Sequence, residues 1–340
     1  MFLAIKTPRL VLRPIGMPFL ESTHRYASDR AQTKYMMYLP NDTIDDTAAF
    51  LASADAQWAK PHPDCYEFAV LSGGVHIGAV SLYPDGKGGG ELGWILAAEH
   101  CGMGYATEAA CALARWAVSE LGIKRIFATC DSENSASFRV MEKLGMERVS
   151  SREGRRNKSA DRDSVELLYE VMTDENSFAA ADTAVIRELK PEEYHLLEDF
   201  LYQAIFIPEG VQPPPREIIK RPELQVYVRD FGSEDDTALI ASVDGQPAGM
   251  VWTRIMNDYG HIDDATPSFA ISLHRRYRGR GIGTVMMECM LDILRRKGYE
   301  RASLAVQKAN YAVGMYKKVG FEIIGGNEEE YIMVCRLKGE

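Results

Sequence analysis

Long hydrophobic runs are missing from this chain. No stretch approaches the ~20 apolar residues that a membrane-spanning helix needs. The apolar start, Met1 to Ile5, is too short for a secretory leader. Cysteine is sparse. Cys65, Cys101, Cys111, Cys130, Cys289 and Cys335 contain no C-x-x-C pair and are scattered through apolar runs. Reduced, mostly buried thiols are expected, which points to a cytoplasmic protein. The seven histidines are dispersed, and without metal-ligand spacing no metal is expected. Positive charge is not in excess either: 39 Lys and Arg stand against 49 Asp and Glu, for a net charge of −10. That balance argues against broad binding of nucleic acid or anionic membranes. A Gly-Lys-Ser/Thr phosphate loop and a Rossmann G-x-G-x-x-G at a first strand–helix turn are both absent.

What remains is ordinary globular material, 46% hydrophobic and 26% charged over 340 residues, a length that suggests two domains. One stretch stands out. Arg278-Gly279-Arg280-Gly281-Ile282-Gly283 precedes an apolar run from Thr284 to Leu294. Glycine lets a backbone turn tightly and lets its N–H groups approach a ligand with no Cβ in the way. The helix that follows aims unpaired N–H groups and its positive end at the same point. Together they suit a phosphate or pyrophosphate. Arg275, Arg276, Arg278 and Arg280 add charge of the right sign.

The pattern occurs twice. Cys101-Gly102-Met103-Gly104-Tyr105-Ala106 opens a helical run from Thr107 to Leu121. Each copy continues with a β-type run (Arg125 to Cys130; Ser303 to Val306), then an asparagine (Asn134; Asn310), then a closing glycine (Gly145; Gly320). Gly104 to Asn134 is 30 residues and Gly281 to Asn310 is 29, and the copies are offset by 177. That offset is one whole domain. The sequence reads as a domain over 1–173, a linker over 174–183 (Thr173 to Thr183 has little hydrophobic periodicity) and a second domain over 184–340. Helices are expected over Phe19 to Ala31, Asp45 to Ala59 (with Asp45 its cap) and Pro191 to Ile205. Hairpins are expected across Ser72-Gly73-Gly74 and Asp244-Gly245-Gln246, with a charged hairpin loop over Ser151 to Ser164.

This order of loop, strand, Asn, Tyr and closing Gly-Phe resembles the GNAT acyltransferase superfamily. Thr7-Pro8-Arg9-Leu10-Val11-Leu12-Arg13-Pro14 and Gly104-Tyr105-Ala106-Thr107-Glu108-Ala109 make the N-terminal half similar to its branch of ribosomal-protein N-terminal (Rim-type) acetyltransferases. The resemblance implies a mixed α/β (α+β) fold in each half, a twisted, largely antiparallel sheet flanked by helices. It implies acetyl-CoA as co-substrate, a small-molecule or peptide amine as acceptor, and no metal. Cofactor contacts would fall on Arg278, Gly279, Arg280, Gly281, Ile282, Gly283, Thr284 and Asn310, and on Gly102, Met103, Gly104, Tyr105, Ala106 and Asn134. Asn310 can equally cap the following helix.

Three residues carry the implied chemistry. Tyr316, four residues before Gly320, stands where the family commonly has a tyrosine that protonates the departing thiolate. A phenol of pKa about 10 can do so, or it can be a core aromatic. In the first copy Met141 holds the matching position and cannot donate, so Ser137 becomes a candidate. Glu91 is the acidic residue nearest the expected reaction centre, or else an exposed strand-end carboxylate. Cys101 and Met103 replace the usual basic residues of the first loop and remove cationic help. In the second copy Pro267-Ser268 stands where many relatives have a glutamate; Asp263 and Asp264 read as solvated turn residues, so the base is unassigned. Deprotonating an α-amine of pKa about 8 at neutral pH costs about 1.4 kcal/mol, and a lysine near 10.4 more than about 4. A missing strong base therefore favours a low-pKa amine. A second reading keeps only the C-terminal domain catalytic and makes the N-terminal copy structural or ligand-sensing. Homo-oligomerisation is left open.

Overall fold

A computed structural model describes residues 3–174, 177–178, 183–208 and 210–338. The chain divides into two compact units, Met1–Val185 and Ile186–Glu340. Of the expected linker, residues 175–176 and 179–182 lie outside the described residues.

The first unit runs β1 (Leu3–Lys6), β2 (Leu10–Pro14), α1 (Leu20–Ala27), α2 (Ile44–Trp58), β3 (Tyr66–Ser72), β4 (Val75–Pro84), β5 (Gly89–Leu96), α3 (Tyr105–Leu121), β6 (Arg125–Asp131), α4 (Ser135–Lys143), β7 (Glu147–Arg155) and β8 (Ser164–Met172). The strands lie in the order β1-β2-β3-β4-β5-β6-β8-β7. Every neighbouring pair is antiparallel except β5–β6. The β3–β4 turn puts both Gly73 (φ 57°) and Gly74 (φ 84°) at positive φ, the requirement of a tight hairpin with primed geometry. Alternation sends Leu10, Leu12, Phe68, Val70, Val80 and Leu82 to one face, where they pack on Ala110, Leu113, Ala114 and Trp116 of α3. Ala69, Leu71 and Ala79 face the other way, onto Tyr26 of α1 and Leu51 and Ala54 of α2.

Several boundaries differ from expectation. Thr43, not Asp45, caps α2. Its hydroxyl accepts from the Asp46 N–H, and Asp46 reaches back to the Thr43 backbone, a reciprocal capping box. The first helix stops at Ala27. Strand β7 continues through Ser151 to Arg155, because Arg155 is buried and its guanidinium donates to Glu166 of β8 at 2.8 Å and to Asn157 at 3.1 Å. The thiols are less buried than expected: Cys130, Cys289 and Cys335 are buried, Cys65 and Cys111 half-buried, and Cys101 exposed in its loop.

From β9 (Ala184–Glu188) onward the chain repeats the plan with α5 (Leu196–Ala204), α6 (Pro222–Gln225), β10 (Thr237–Val243), β11 (Gln246–Arg254), β12 (Ser268–Leu273), α7 (Ile282–Arg296), β13 (Arg301–Gln307), α8 (Val313–Lys318), β14 (Glu322–Gly326) and β15 (Glu330–Arg336). From β10 its order is β10-β11-β12-β13-β15-β14, antiparallel except β12–β13. The helix expected from Pro191 is split into a 3-10 turn over Pro191–Glu193 and α5. Phe200 and Leu201 of α5 join Ile240, Met250 and Trp252 in the core of one face.

Candidate active site

The two glycine loops have the same backbone. Gly102 (φ 77°) and Gly104 (φ 79°) match Gly279 (φ 75°) and Gly281 (φ 74°). All four are left-handed, a region that any residue with a Cβ enters only under strain. Gly104 and Gly281 immediately precede α3 and α7, and no side chain caps either helix start. Each start is therefore left with amide donors and a positive dipole end for an anion. At Gly283 a Cβ would lie 3.3 Å from Leu273 Cδ1 and from Met315 Sδ, so glycine lets α7 approach β12 and α8. Ala106 holds the matching place in the first unit.

Charge reaches the loops by different routes. In the second unit Arg276 and Arg280 lie over the Tyr277 ring at 4.7 and 5.6 Å, and Arg278 Nε donates to the Leu273 carbonyl at 2.9 Å. In the first unit the cation comes from the β1–β2 turn. Arg9 stacks on Tyr105 at 4.6 Å, donates to the Met103 carbonyl at 2.9 Å and pairs with Glu108 at 2.6 Å. Glu108 also accepts from the Thr7 hydroxyl at 2.5 Å. Cys101 and Met103 bring no charge themselves, and the guanidinium at this loop comes from outside it, paired with Glu108. The Arg9 motif was visible, but nothing in strand periodicity brings residue 9 to residue 103. A cavity of about 360 Å³ beside this helix start is lined by Gly104, Thr107, Glu108, Cys111 and Lys143, among others.

Next to each loop the parallel strands part. Strand β5 pairs with β6 only at Gly89, Gly90 and Glu91, although both strands continue, to Leu96 and Asp131. Strands β12 and β13 share one pairing, Ser268 with Ser303, and run on to Leu273 and Gln307. Beyond those points the facing backbone groups have no strand partner in the pair, which leaves N–H donors for an incoming carbonyl.

The expected side chains have the following surroundings. Glu91 is the last residue of β5 paired with β6 and accepts from the Thr129 hydroxyl at 3.0 Å. Burial raises its proton affinity, the Glu166 charge adds to this, and the Thr129 bond and Arg155 work against it. Asn134 Oδ1 accepts from the Ser137 N–H at 3.2 Å, so its oxygen caps α4. Ser137 is half-buried in the first turn of that helix. Met141 is fully buried in the core. Asn310 Oδ1 accepts from the Ala312 N–H at 2.9 Å, again a turn cap. Tyr316 is buried on α8, its ring 6.2 Å from Phe321, which in turn lies 5.6 Å from Phe269 of β12. Burial pushes its phenol well above the usual range, so it holds its proton across physiological pH. Asp263 bonds the Thr266 hydroxyl at 2.6 Å and pairs with Arg301; the Thr266 bond comes first in holding its carboxyl below the usual range. Asp264 is exposed.

Two polar groups escaped the sequence reading. Glu67 of β3 is buried, accepts from the Tyr83 hydroxyl and is pushed up to about 7 by burial. Tyr83 lies opposite Glu91 across β4–β5. The other is Asp258, between β11 and β12. An isolated acidic residue in an alternating strand or loop gives no signal of burial. Among the described residues no group of three metal-ligating side chains occurs, and no helix is long and apolar enough to cross a membrane.

A twisted, largely antiparallel sheet, one parallel pair that parts, and a glycine-initiated helix beside the gap define an acetyltransferase fold, twice. Residues 9–147 match the acetyltransferase (GNAT) domain model, and residues 200–321 match the acetyltransferase (GNAT) family model. The uncharacterized N-acetyltransferase YnaD of Bacillus subtilis is 32% identical over 153 residues, 42% of this chain and 82% of that protein. A [ribosomal protein bS18]-alanine N-acetyltransferase of Haemophilus influenzae is 30% identical over 87 residues, 22% of this chain and 59% of that one. A GNAT-family acetyltransferase from Bacillus anthracis aligns with a TM-score of 0.44 and 30% identity, over 51% of this chain and 98% of its own. RimL, the ribosomal L7/L12 α-N-protein acetyltransferase, in complex with coenzyme A, aligns with a TM-score of 0.44 and 14% identity over 49% of this chain and 96% of its own. The chain belongs to the GNAT acetyltransferase family, with one such domain in each half, and is an N-acetyltransferase.

Proposed function

We propose that the protein transfers acetyl from acetyl-CoA to a primary amine of a small molecule or a peptide N-terminus, with a cofactor site in each unit. The observation that carries this is the shared backbone of the two loops: left-handed glycines open an uncapped helix beside parting parallel strands. The residues fit the group. Amides at the start of α3 and α7 suit the pyrophosphate, with Arg9 near one loop and Arg276, Arg278 and Arg280 near the other. Bound acetyl-CoA supplies an activated thioester carbonyl. The protein's share is to orient that carbonyl against free strand N–H groups, to take a proton from the amine and to give one to the departing sulfur. Tyr316, buried and neutral, suits that last role in the C-terminal unit. Glu91 suits the amine side in the N-terminal unit, with Ser137 the nearest hydroxyl candidate for its sulfur.

A second reading confines catalysis to the C-terminal unit. It is favoured by Met141, which is fully buried and has no proton to give where the other copy has Tyr316. The two readings separate in a thiol-release assay with acetyl-CoA and a panel of α-amines, alkylamines and peptides. Gly281→Val should abolish release in the C-terminal unit by forcing a β-branched residue to positive φ. Residual release in that variant, removed by adding Gly104→Val, supports two active units. No residual release supports one. Release unaffected by both changes would sink both readings.

A further inference from the structure

The repeat itself shows what the C-terminal unit lacks. In the N-terminal unit the strand entering the glycine loop carries a carboxylate, Glu91, at its last residue paired with β6. Ser268 stands 177 residues later, the same offset as Gly104 to Gly281, and pairs with β13 at the point where β12 begins to part from it. A serine hydroxyl at that place has no useful affinity for an ammonium proton.

The loop between β11 and β12 brings a carboxylate to it. Ser268 Oγ donates to Asp258 Oδ2 at 2.9 Å, and the Tyr227 hydroxyl donates to the same oxygen at 2.8 Å. Gly260 allows the close approach: a Cβ there would lie 2.9 Å from Ala305 N and 3.0 Å from Ser268 Oγ. The other oxygen, Oδ1, is buried and has no hydrogen-bond partner. A buried acceptor left bare is costly, so a donor is expected to complete it. The geometry points to Asp258 as the group that receives the acceptor amine's proton in the C-terminal unit, supplying from a loop the carboxylate that Glu91 supplies from a strand.

This rests on the acetyl-transfer reading above. Oδ2 is held by two hydroxyls, so Oδ1 is the oxygen left to take a proton, across one bridging water given its burial. The ammonium loses one proton to Asp258 and thence to solvent. The freed nitrogen pair forms the C–N bond, and the C–S bond breaks with its electron pair leaving on sulfur. Sulfur takes the Tyr316 proton, and the second N–H proton, released as the amide forms, restores that phenol through solvent. One proton is released per turnover. The groups facing Asp258 are Tyr227, Ser268 and His261, with Glu330 nearby on β15. Burial raises the Asp258 carboxyl above the usual range, against the two hydroxyl bonds, its own backbone N–H and the charge of His261. It is therefore a stronger base than a solvated aspartate.

The test uses the full chain carrying Gly104→Val, so that thiol release from acetyl-CoA reports the C-terminal unit. Asp258→Asn should lower kcat/KM about 10²-fold near neutral pH, with acetyl-CoA affinity within about twofold by calorimetry. The deficit should shrink as pH approaches the amine's own pKa, and should be smaller for α-amines than for alkylamines. Asp258→Glu should recover part of the loss. Ser268→Ala and Tyr227→Phe remove donors to the charged form and should move the acidic limb of the profile to higher pH. A loss equal at every pH and for every amine, or no loss, overturns the assignment while Gly281-dependent transfer keeps the acetyltransferase reading. An unmoved acidic limb in the Ser268 and Tyr227 variants overturns it even if Asp258→Asn does not fold. Absence of thiol release from the Gly104→Val chain removes the acetyl-transfer reading of this unit and the proposal with it.

Discussion

The two halves keep the same backbone and change almost every reactive side chain. Four glycines occupy one narrow range of φ, from 74° to 79°, and in both halves the parallel pair parts beside them. Side chains do not follow. The cation at the loop is local in one half and comes from Arg9, on the first β-turn, in the other. Tyr316 corresponds to Met141 in the repeat, and Glu91 to Ser268. The difference teaches where the constraint lies. Amide donors and a helix end are backbone features that only glycine geometry can supply, so they persist. A carboxylate or guanidinium can arrive from any element that reaches the same point.

The contrast between Tyr316 and Met141 makes the largest prediction. In the Gly104→Val chain, Tyr316→Phe should lower kcat about 10²-fold and leave acetyl-CoA affinity within about twofold. An unchanged kcat would remove the phenol from the mechanism and leave it a core aromatic.

Arg9 gives a smaller effect on the other half. Arg9→Ala removes the guanidinium from Met103 and Glu108 and should weaken acetyl-CoA binding at the N-terminal loop about three- to tenfold. Titration at low and high salt should show the loss fading as salt rises, with the C-terminal site untouched. Equal affinity at low salt would mean that Arg9 only braces the turn.

The smallest effect concerns stability and belongs to the C-terminal unit. Arg187 bonds both Glu193 oxygens, at 2.7 and 2.6 Å, and holds that carboxyl down to about 2, with the Lys190 N–H helping. A depressed folded-state pKa adds stability that is full above the ordinary value of 4.5 and is lost as pH falls toward about 2. The pair is partly solvated, so Glu193→Gln should cost about 1 kcal/mol at neutral pH. Thermal melts should show the gap to the parent closing between those two pH values. A gap independent of pH would assign the loss to packing.

The sequence carried the repeat, the glycine loops and the two hairpins, because glycine spacing and apolar alternation are local signals. The splay had no such signal, since no residue pattern marks where a parallel pair ends. Thr43 over Asp45 as the α2 cap was within reach, given Asp46 three residues on. Arg9 at the first loop, the buried Glu67 with Tyr83, and Asp258 at Ser268 were not. Each depends on a contact between residues far apart or on burial that a polar residue does not announce.

The central claim is that each unit holds one acetyl-CoA on its glycine loop. Calorimetric titration of the full chain tests it most directly. The account predicts two sites per chain, one lost with Gly281→Val and the other with Gly104→Val. A single site insensitive to Gly104→Val would contradict it and leave the N-terminal copy with another role.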